Sequence, residues 1–439
     1  MLSLPYSKTK RYLTGIDWII HVLNYMTLKE TGAGFMSQIV IEVVGKVNVD
    51  ELFKSLNAFI KKYPVLYGYA SRDINLAPYW KIPALKKTEV LFDFITAGYD
   101  DGFENIIEFL EKKINTAFQD KRHHLAFSLI NSENKSYIAM RFDHLIFDAA
   151  NAEAFIQLFQ KQWIDAKYPD SNIIPEPPHL SLWKQKFLAG QRVNRAFLKI
   201  ADKIPPRVFP LPASKNGFKF KILSFDKQTA DEIAEKAFNE AGYLMLMPYA
   251  LAVSVYCFNK IFINRSITSG DYVIPVSVNI KKQAKEQKSE FFNNVSFFIF
   301  KIKADLAENF PGLLNSIKEQ MYNQVKEDLP GDLCKASLLM RIAPLFLLGR
   351  LMKIYLKGEV ASFSFSYLGE AIYTSDDFMA SKVLNLFHMP RVPIPPGIGI
   401  FFQRSNERLN IILSYIDGIL KNDEAEEIMN LLRSMLGVK

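Results

Sequence analysis

Residues 136–163 read SYIAMRFDHLIFDAANAEAFIQLFQKQW. Residues 136–142 are rich in β-formers and predict a strand. Residues 151–163 place Phe155, Leu158 and Phe159 on one helical face and predict an amphipathic helix. Between them lies a tight polar–apolar junction, Asp143 to Ala150. His144 stands where the strand ends, a position from which a side chain projects into a cleft. Its near-neutral imidazole suits general-base work. Asp148 lies four residues on, just before the helix. There it caps the helix or holds the loop through a salt bridge to a distant Arg or Lys. Alone, the pair is equally a satisfied strand-end histidine followed by a capping aspartate. The spacing is short enough to arise by chance, so its context carries the weight.

The same strand–helix logic extends in both directions. Residues 37–44 (SQIVIEVV) predict a strand, and residues 49–62 a helix with Leu52, Leu56, Phe59 and Ile60 on one face. Asp50 lies near its start and Pro64 stops it. Pro169, Pro175, Pro177, Pro178, Pro205, Pro206, Pro210 and Pro212 mark residues 166–215 as a long connection rather than a packed element. Helices are expected at 229–240 and 248–259, and strands at 272–279 and 295–302. A basic amphipathic helix follows at 337–356. Pro390, Pro393, Pro395 and Pro396 make a second irregular crossing. Strands at 398–403 and 409–415 and a helix at 424–436 complete the chain. The fold class is therefore α/β, with two sandwich halves: 1–165, the connection 166–215, and 216–439.

A hydrophobic share of 49% against 23% charged residues excludes a disordered chain. Cys257 and Cys334 are the only cysteines, which excludes a disulfide framework and a Cys-rich zinc site and fits a reducing compartment. Lys and Arg number 54 against 46 Asp and Glu, a net charge of +8. No dense basic run with interleaved aromatics occurs, so nucleic acid is not expected as a partner. The mild positive field suits an anionic ligand or an anionic membrane surface. Pro5, Lys8, Lys10 and Arg11 break any signal-peptide pattern, and a cytoplasmic location is expected, with membrane contact at most peripheral. Residues 241–259 carry no charge, but a helix starting at Pro248 is only about 18 Å long and reads as a buried core helix. None of the six histidines has metal-ligand spacing, so no metal is expected. No GxGxxG follows a strand, and neither GxxxxGK[ST] nor GxSxG occurs. Most dehydrogenase, nucleotidase and serine-hydrolase readings fall with them.

The stretch around His144 and Asp148 resembles the active-site motif of the chloramphenicol acetyltransferase-like superfamily. That group includes condensation domains of nonribosomal peptide synthetases, wax ester synthases, polyketide-associated acyltransferases and plant acyl-CoA-dependent acyltransferases. Further phrases resemble the family's in the same order: residues 45–66, residues 275–281 (PVSVNIK), Asn294, residues 366–369 (SYLG) and residues 414–418. The resemblance spans roughly residues 13 to 432. The family motif is usually HHxxxDG, with the second His catalytic. Here Asp143 replaces the first His and Ala149 the Gly. His123 and His124 are not the motif, since Ser128 stands where Asp should be, and they read as a solvated turn.

The resemblance implies an active-site tunnel between the two halves. An acyl thioester, on coenzyme A or a carrier protein, enters from one side. A hydrophobic alcohol, or less readily an amine, enters from the other. His144 is the implied general base and Asp148 a structural residue, with Lys281 as a suggested partner. Ser366 and Asn294 are candidates for the oxyanion donor or tunnel lining; otherwise they only satisfy local backbone. No permanently bound cofactor is implied, since the thioester is a co-substrate. Two other readings stay open. Asp143 and Ala149 suit a silent protein that holds a lipid or a carrier protein, and a stand-alone amide-forming condensation enzyme would use the same cleft. The segment 337–357, with Arg341, Arg350, Lys353 and Lys357, is expected to pack on its own domain; resting on a membrane surface or bordering a lipid-binding tunnel is the alternative.

Overall fold

The computed structural model describes residues 9–84, 89–96, 102–171, 183–201, 206–213, 217–280, 290–354 and 357–438. The first half carries β1 (Lys10–Tyr12), α1 (Gly15–Thr31), β2 (Met36–Val44), α2 (Val49–Ile60), β3 (Tyr69–Arg72), β4 (Pro78–Lys81), β5 (Leu91–Thr96), α3 (Phe103–Ile114), β6 (Leu125–Asn131), β7 (Lys135–Asp143) and α4 (Ala149–Ile164). After α5 (Trp183–Ile200) come β8 (Phe218–Phe225), α6 (Lys227–Ala241), α7 (Leu246–Asn264), β9 (Tyr272–Asn279), β10 (Val295–Ile302), α8 (Phe310–Lys326), α9 (Leu329–Met340) and α10 (Leu345–Ile354). The chain closes with β11 (Ser364–Glu370), β12 (Asp377–Phe378), β13 (Ser381–His388), β14 (Ile398–Ser405), β15 (Arg408–Ile416) and α11 (Asn422–Leu436).

Two six-stranded sheets result. The first has the order β12-β13-β2-β7-β6-β5, the second β10-β9-β11-β14-β15-β8, and β1-β4-β3 form a small third sheet. Period-two alternation in β2 explains the layering. Ile39, Ile41 and Val43 pack with Leu52, Leu56, Phe155 and Phe159 of α2 and α4. Met36 and Val40 turn the other way and join a core that continues into the second sheet, α6, α7 and α11. Each such side chain contributes about 1.5–3 kcal/mol by leaving water. One apolar core therefore runs across both halves.

Several expectations change in detail. The cap of α2 is Asn48, whose side chain accepts from the Glu51 amide at 3.0 Å, with Asp50 in the first turn. The core helix expected at 248–259 runs Leu246–Asn264, with Pro248 in its first turn where an amide is not needed. It is long and apolar enough to cross a membrane but is mostly buried inside the protein. The single helix expected over 337–356 is two helices, α9 and α10, broken before Pro344. The residue before a proline is disfavoured in helical backbone, and α9 has ended at Met340, ahead of Ala343. Residues 166–215 are not all irregular: α5 lies among them, between the flanking proline clusters. β13 comes from the chain beyond residue 216 yet pairs with β2 in the first sheet, His388 opposite Ile39. Residues 389–397 then carry the chain across to β14. Buried Arg391 fastens this crossing, donating to the Gly34 carbonyl at 2.6 Å and to Thr31 Oγ1 at 2.5 Å.

Candidate active site

The turn from β7 into α4 is built by Asp148. Its Oδ1 accepts from the Asn151 amide at 2.8 Å, which caps the helix. Its Oδ2 accepts from the Asn294 amide at 2.8 Å, in the segment that leads into β10. Capping and cross-linking are thus both done by one carboxylate. Lys281, the partner suggested by the resemblance, lies outside the described residues.

Three more hydrogen bonds bind this segment to the loop. The Phe292 amide donates to the Ile146 carbonyl at 2.6 Å. Asn151 Nδ2 donates to the Phe292 carbonyl at 2.6 Å, and Asn293 Nδ2 to the His144 carbonyl at 2.8 Å. Phe292 adopts φ 69°, a backbone region that a bulky residue enters only when its surroundings hold it there. The HxxxD loop therefore lies on the seam between the two halves. Asn293 also reaches α1: its amide donates to Asp17 Oδ1 at 3.3 Å. Burial alone would raise the Asp17 carboxyl, but Arg11 and the bonds from Thr14 and Arg11 outweigh it and hold it below the usual range.

His144 is fixed from three sides. Its amide donates to the Phe35 carbonyl at 3.1 Å. Its ring stacks on Phe35, centroids 4.3 Å apart, and meets Phe142 edge-on at 5.7 Å. Nδ1 lies 3.0 Å from the Phe147 carbonyl. A carbonyl can only accept, so Nδ1 carries the hydrogen and Nε2 keeps the lone pair. Burial pushes the imidazole down to about 4, against the Phe147 carbonyl and with the positive influence of His388. The ring is a neutral base at physiological pH.

Asp143, which stands in place of the first motif histidine, is paired with His124. Its Oδ2 lies 2.7 Å from His124 Nδ1, and His124 Nε2 lies 2.9 Å from the Gly68 carbonyl. The solvated turn expected at 123–124 is thus corrected: His124 is buried and faces acceptors through both nitrogens. Ala149 is the first residue of α4, in helical backbone where a methyl group causes no strain. Ser366 shares a 2.7 Å hydrogen bond with Ser277 on the neighbouring β9, away from the bonds that assemble the loop. The Asn294 amide is engaged by Asp148, so its backbone contributes to the tether.

One turn into α4, Glu153 is buried. Its Oε1 accepts from His388 Nε2 at 2.7 Å and Gln403 Nε2 at 2.6 Å, and its Oε2 from the Ile372 amide at 2.5 Å. These bonds tie α4 to β13, β14 and the turn after β11. Asn293, His124, Phe35 and the Glu153–His388 pair carried no signal in sequence spacing, because each meets its partner across a long stretch of chain. Among the described residues, no three His, Cys, Asp or Glu side chains converge as a metal would require.

No protein-family model matches the chain. No curated protein sequence matches it either. Solved structures do match. The chain is similar to the trichothecene 15-O-acetyltransferase TRI3 from Fusarium sporotrichioides, with TM-score 0.70 and 11% identity, covering 97% of this chain and 94% of that one. The first condensation domain of the CDA synthetase matches with TM-score 0.70 and 12% identity, over 98% and 96% of the two chains. Polyketide synthase associated protein 5 from Mycobacterium tuberculosis matches with TM-score 0.62 and 13% identity, over 94% and 98%. At such identity the likeness establishes the fold: two α/β halves of the chloramphenicol acetyltransferase-like type.

Proposed function

We propose that this chain is an acyltransferase that moves an acyl group from a thioester to a hydroxyl of a hydrophobic acceptor, with His144 as general base. The observation that carries the reading is the 3.0 Å contact of His144 Nδ1 with the Phe147 carbonyl, which leaves the Nε2 lone pair available on the seam between the halves. Nε2 removes the acceptor's proton as its oxygen attacks the thioester carbonyl. The tetrahedral intermediate then collapses, the carbon–sulfur bond breaks, and Nε2–H returns the proton to the departing thiolate. Asp148 holds the loop and exchanges no proton.

The developing oxyanion needs a donor. The Ser366–Ser277 pair supports this role, since two hydroxyls sharing one bond retain one hydrogen to donate. The side chain of Asn294 is the second candidate. The donor is a thioester of coenzyme A or of a carrier protein, and the chain holds no cofactor of its own in this scheme. Two assays assign the partners. Acyl-CoAs of graded length and loaded carrier proteins are offered with hydrophobic alcohols and amines, and products are identified by mass. Ester formation supports the reading. Exclusive amide formation from loaded carriers replaces it with the condensation reading, and no product with any pair leaves a silent binding protein.

A further inference from the structure

Two helices of this chain turn apolar side chains outward. In α5, Trp183 is 60% exposed, Phe187 61% and Leu198 58%. Their spacing puts the three within one 60° sector of the helix. The helix packs on α9, with Ala189 fully buried and Gly190 near Leu339. In α10, Phe346 is 55% and Ile354 64% exposed, with Leu347 and Leu351 beside them, while Leu348 and Gly349 face α1 and its Met26. Ile342, in the turn before α10, is exposed as well. These are ordered elements. The Ile342 and Ala343 carbonyls accept from Arg72 at 2.6 and 2.8 Å, and Trp18 Nε1 donates to the Ala343 carbonyl at 3.1 Å. Arg341 is buried and donates to the Leu13 carbonyl at 3.0 Å.

The free charges on these two helices have one sign. α5 exposes Lys184, Arg195 and Lys199 and carries no acidic residue, its Lys186 being buried and its Arg192 paired; α10 carries Arg350 and Lys353 and no acidic residue. Asp332 on the intervening α9 is engaged by Arg192 through both carboxylate oxygens, at 2.5 and 2.6 Å. An outward-facing Trp/Phe/Leu stripe beside Lys and Arg matches the interface of an anionic bilayer. Acyl chains take the apolar side chains and headgroups take the cations. A protein partner would need an apolar groove of its own to receive such convex faces.

We infer that α5 and α10 form a peripheral docking surface for anionic lipid, through Trp183, Phe187 and Leu198 on one helix and Phe346, Leu347 and Leu351 on the other. The surface belongs to the helical layer that also supports the site: α1 packs on both α9 and α10, and its Asp17 bonds to Asn293, which holds His144. The surface itself does not depend on the proposed chemistry.

Flotation of the full chain with phosphatidylcholine vesicles, with and without phosphatidylglycerol, tests this directly. Binding to the anionic vesicles is expected to exceed binding to the neutral ones by tenfold or more, roughly, and to weaken with salt. The double substitution Phe346→Ser/Leu351→Ser lowers it by at least about tenfold, while the circular dichroism spectrum and unfolding temperature stay put. A second variant, Lys184→Glu/Arg195→Glu, removes the preference for anionic lipid without touching the apolar face. Three results overturn the inference. They are no binding of the wild type to anionic vesicles, equal binding by wild type and both variants, or a dimer that Phe346→Ser/Leu351→Ser separates into monomers. The last would make the face a subunit interface.

Discussion

At the scale of single residues, the proposed chemistry rests on the imidazole of His144. The Phe147 carbonyl fixes its tautomer and burial holds it near 4, so the base is ready far below the ordinary histidine range. The pH profile of kcat/KM should therefore stay flat through pH 6.5 and fall only toward pH 4–5. A single break near 6.5 would mean an ordinary exposed histidine. His21 makes a related prediction for stability. It is buried, and desolvation lowers it to about 4 from an ordinary 6.5. Between those values the unfolded chain binds the proton and the folded one does not, so stability is complete above about pH 6.5 and is lost as pH falls toward 4. The loss approaches about 3 kcal/mol for this one group. Urea titrations at pH 7 and pH 4.5 should show a smaller loss for His21→Gln than for the wild type; equal losses would contradict the assignment. His144 and Asp148 were legible because the signal is local: a strand end, a tight junction and a helix start within eight residues. His124 was misread because Gly68 and Asp143 reach it through the fold, not through its neighbours.

At the scale of elements, α4 is the part that must not move. Asp148 both caps it and ties it to Asn294, so Asp148→Ala removes the cap and orphans a partly buried amide. The expected cost is roughly 2–4 kcal/mol, read from the midpoint of denaturant unfolding, with a smaller loss for Asp148→Asn. A cost below about 0.5 kcal/mol would show that the loop is held by other bonds. Strands of clear alternation were readable nearly to the residue, as at Tyr272–Asn279 and Val295–Ile302. Two helices were not. Apolar residues continue across Pro344, which hid the break between α9 and α10. Prolines on both sides hid α5, whose own eighteen residues contain none.

At the scale of the molecule, the halves are interlocked. β13 leaves the second half to complete the first sheet, and one core cluster extends from Met36 and Val40 to α7 and α11. Such sharing predicts one cooperative thermal transition, detected alike by circular dichroism and tryptophan fluorescence. Two separated transitions would mean halves that fold independently. The alternation of elements was enough to anticipate two sandwiches, whereas the exchange of β13 depends on a long-range pairing that no local pattern encodes. The seam created by this interlock is where His144, Asn293 and Asp148 meet, so the fold and the proposed chemistry stand together. The most direct test is thiol release from an acyl thioester with and without a hydroxyl acceptor, for the wild type beside a correctly folded His144→Ala. Acceptor-dependent release that falls by roughly 10²–10⁴ in the variant is the predicted result. Undiminished release from His144→Ala would contradict it.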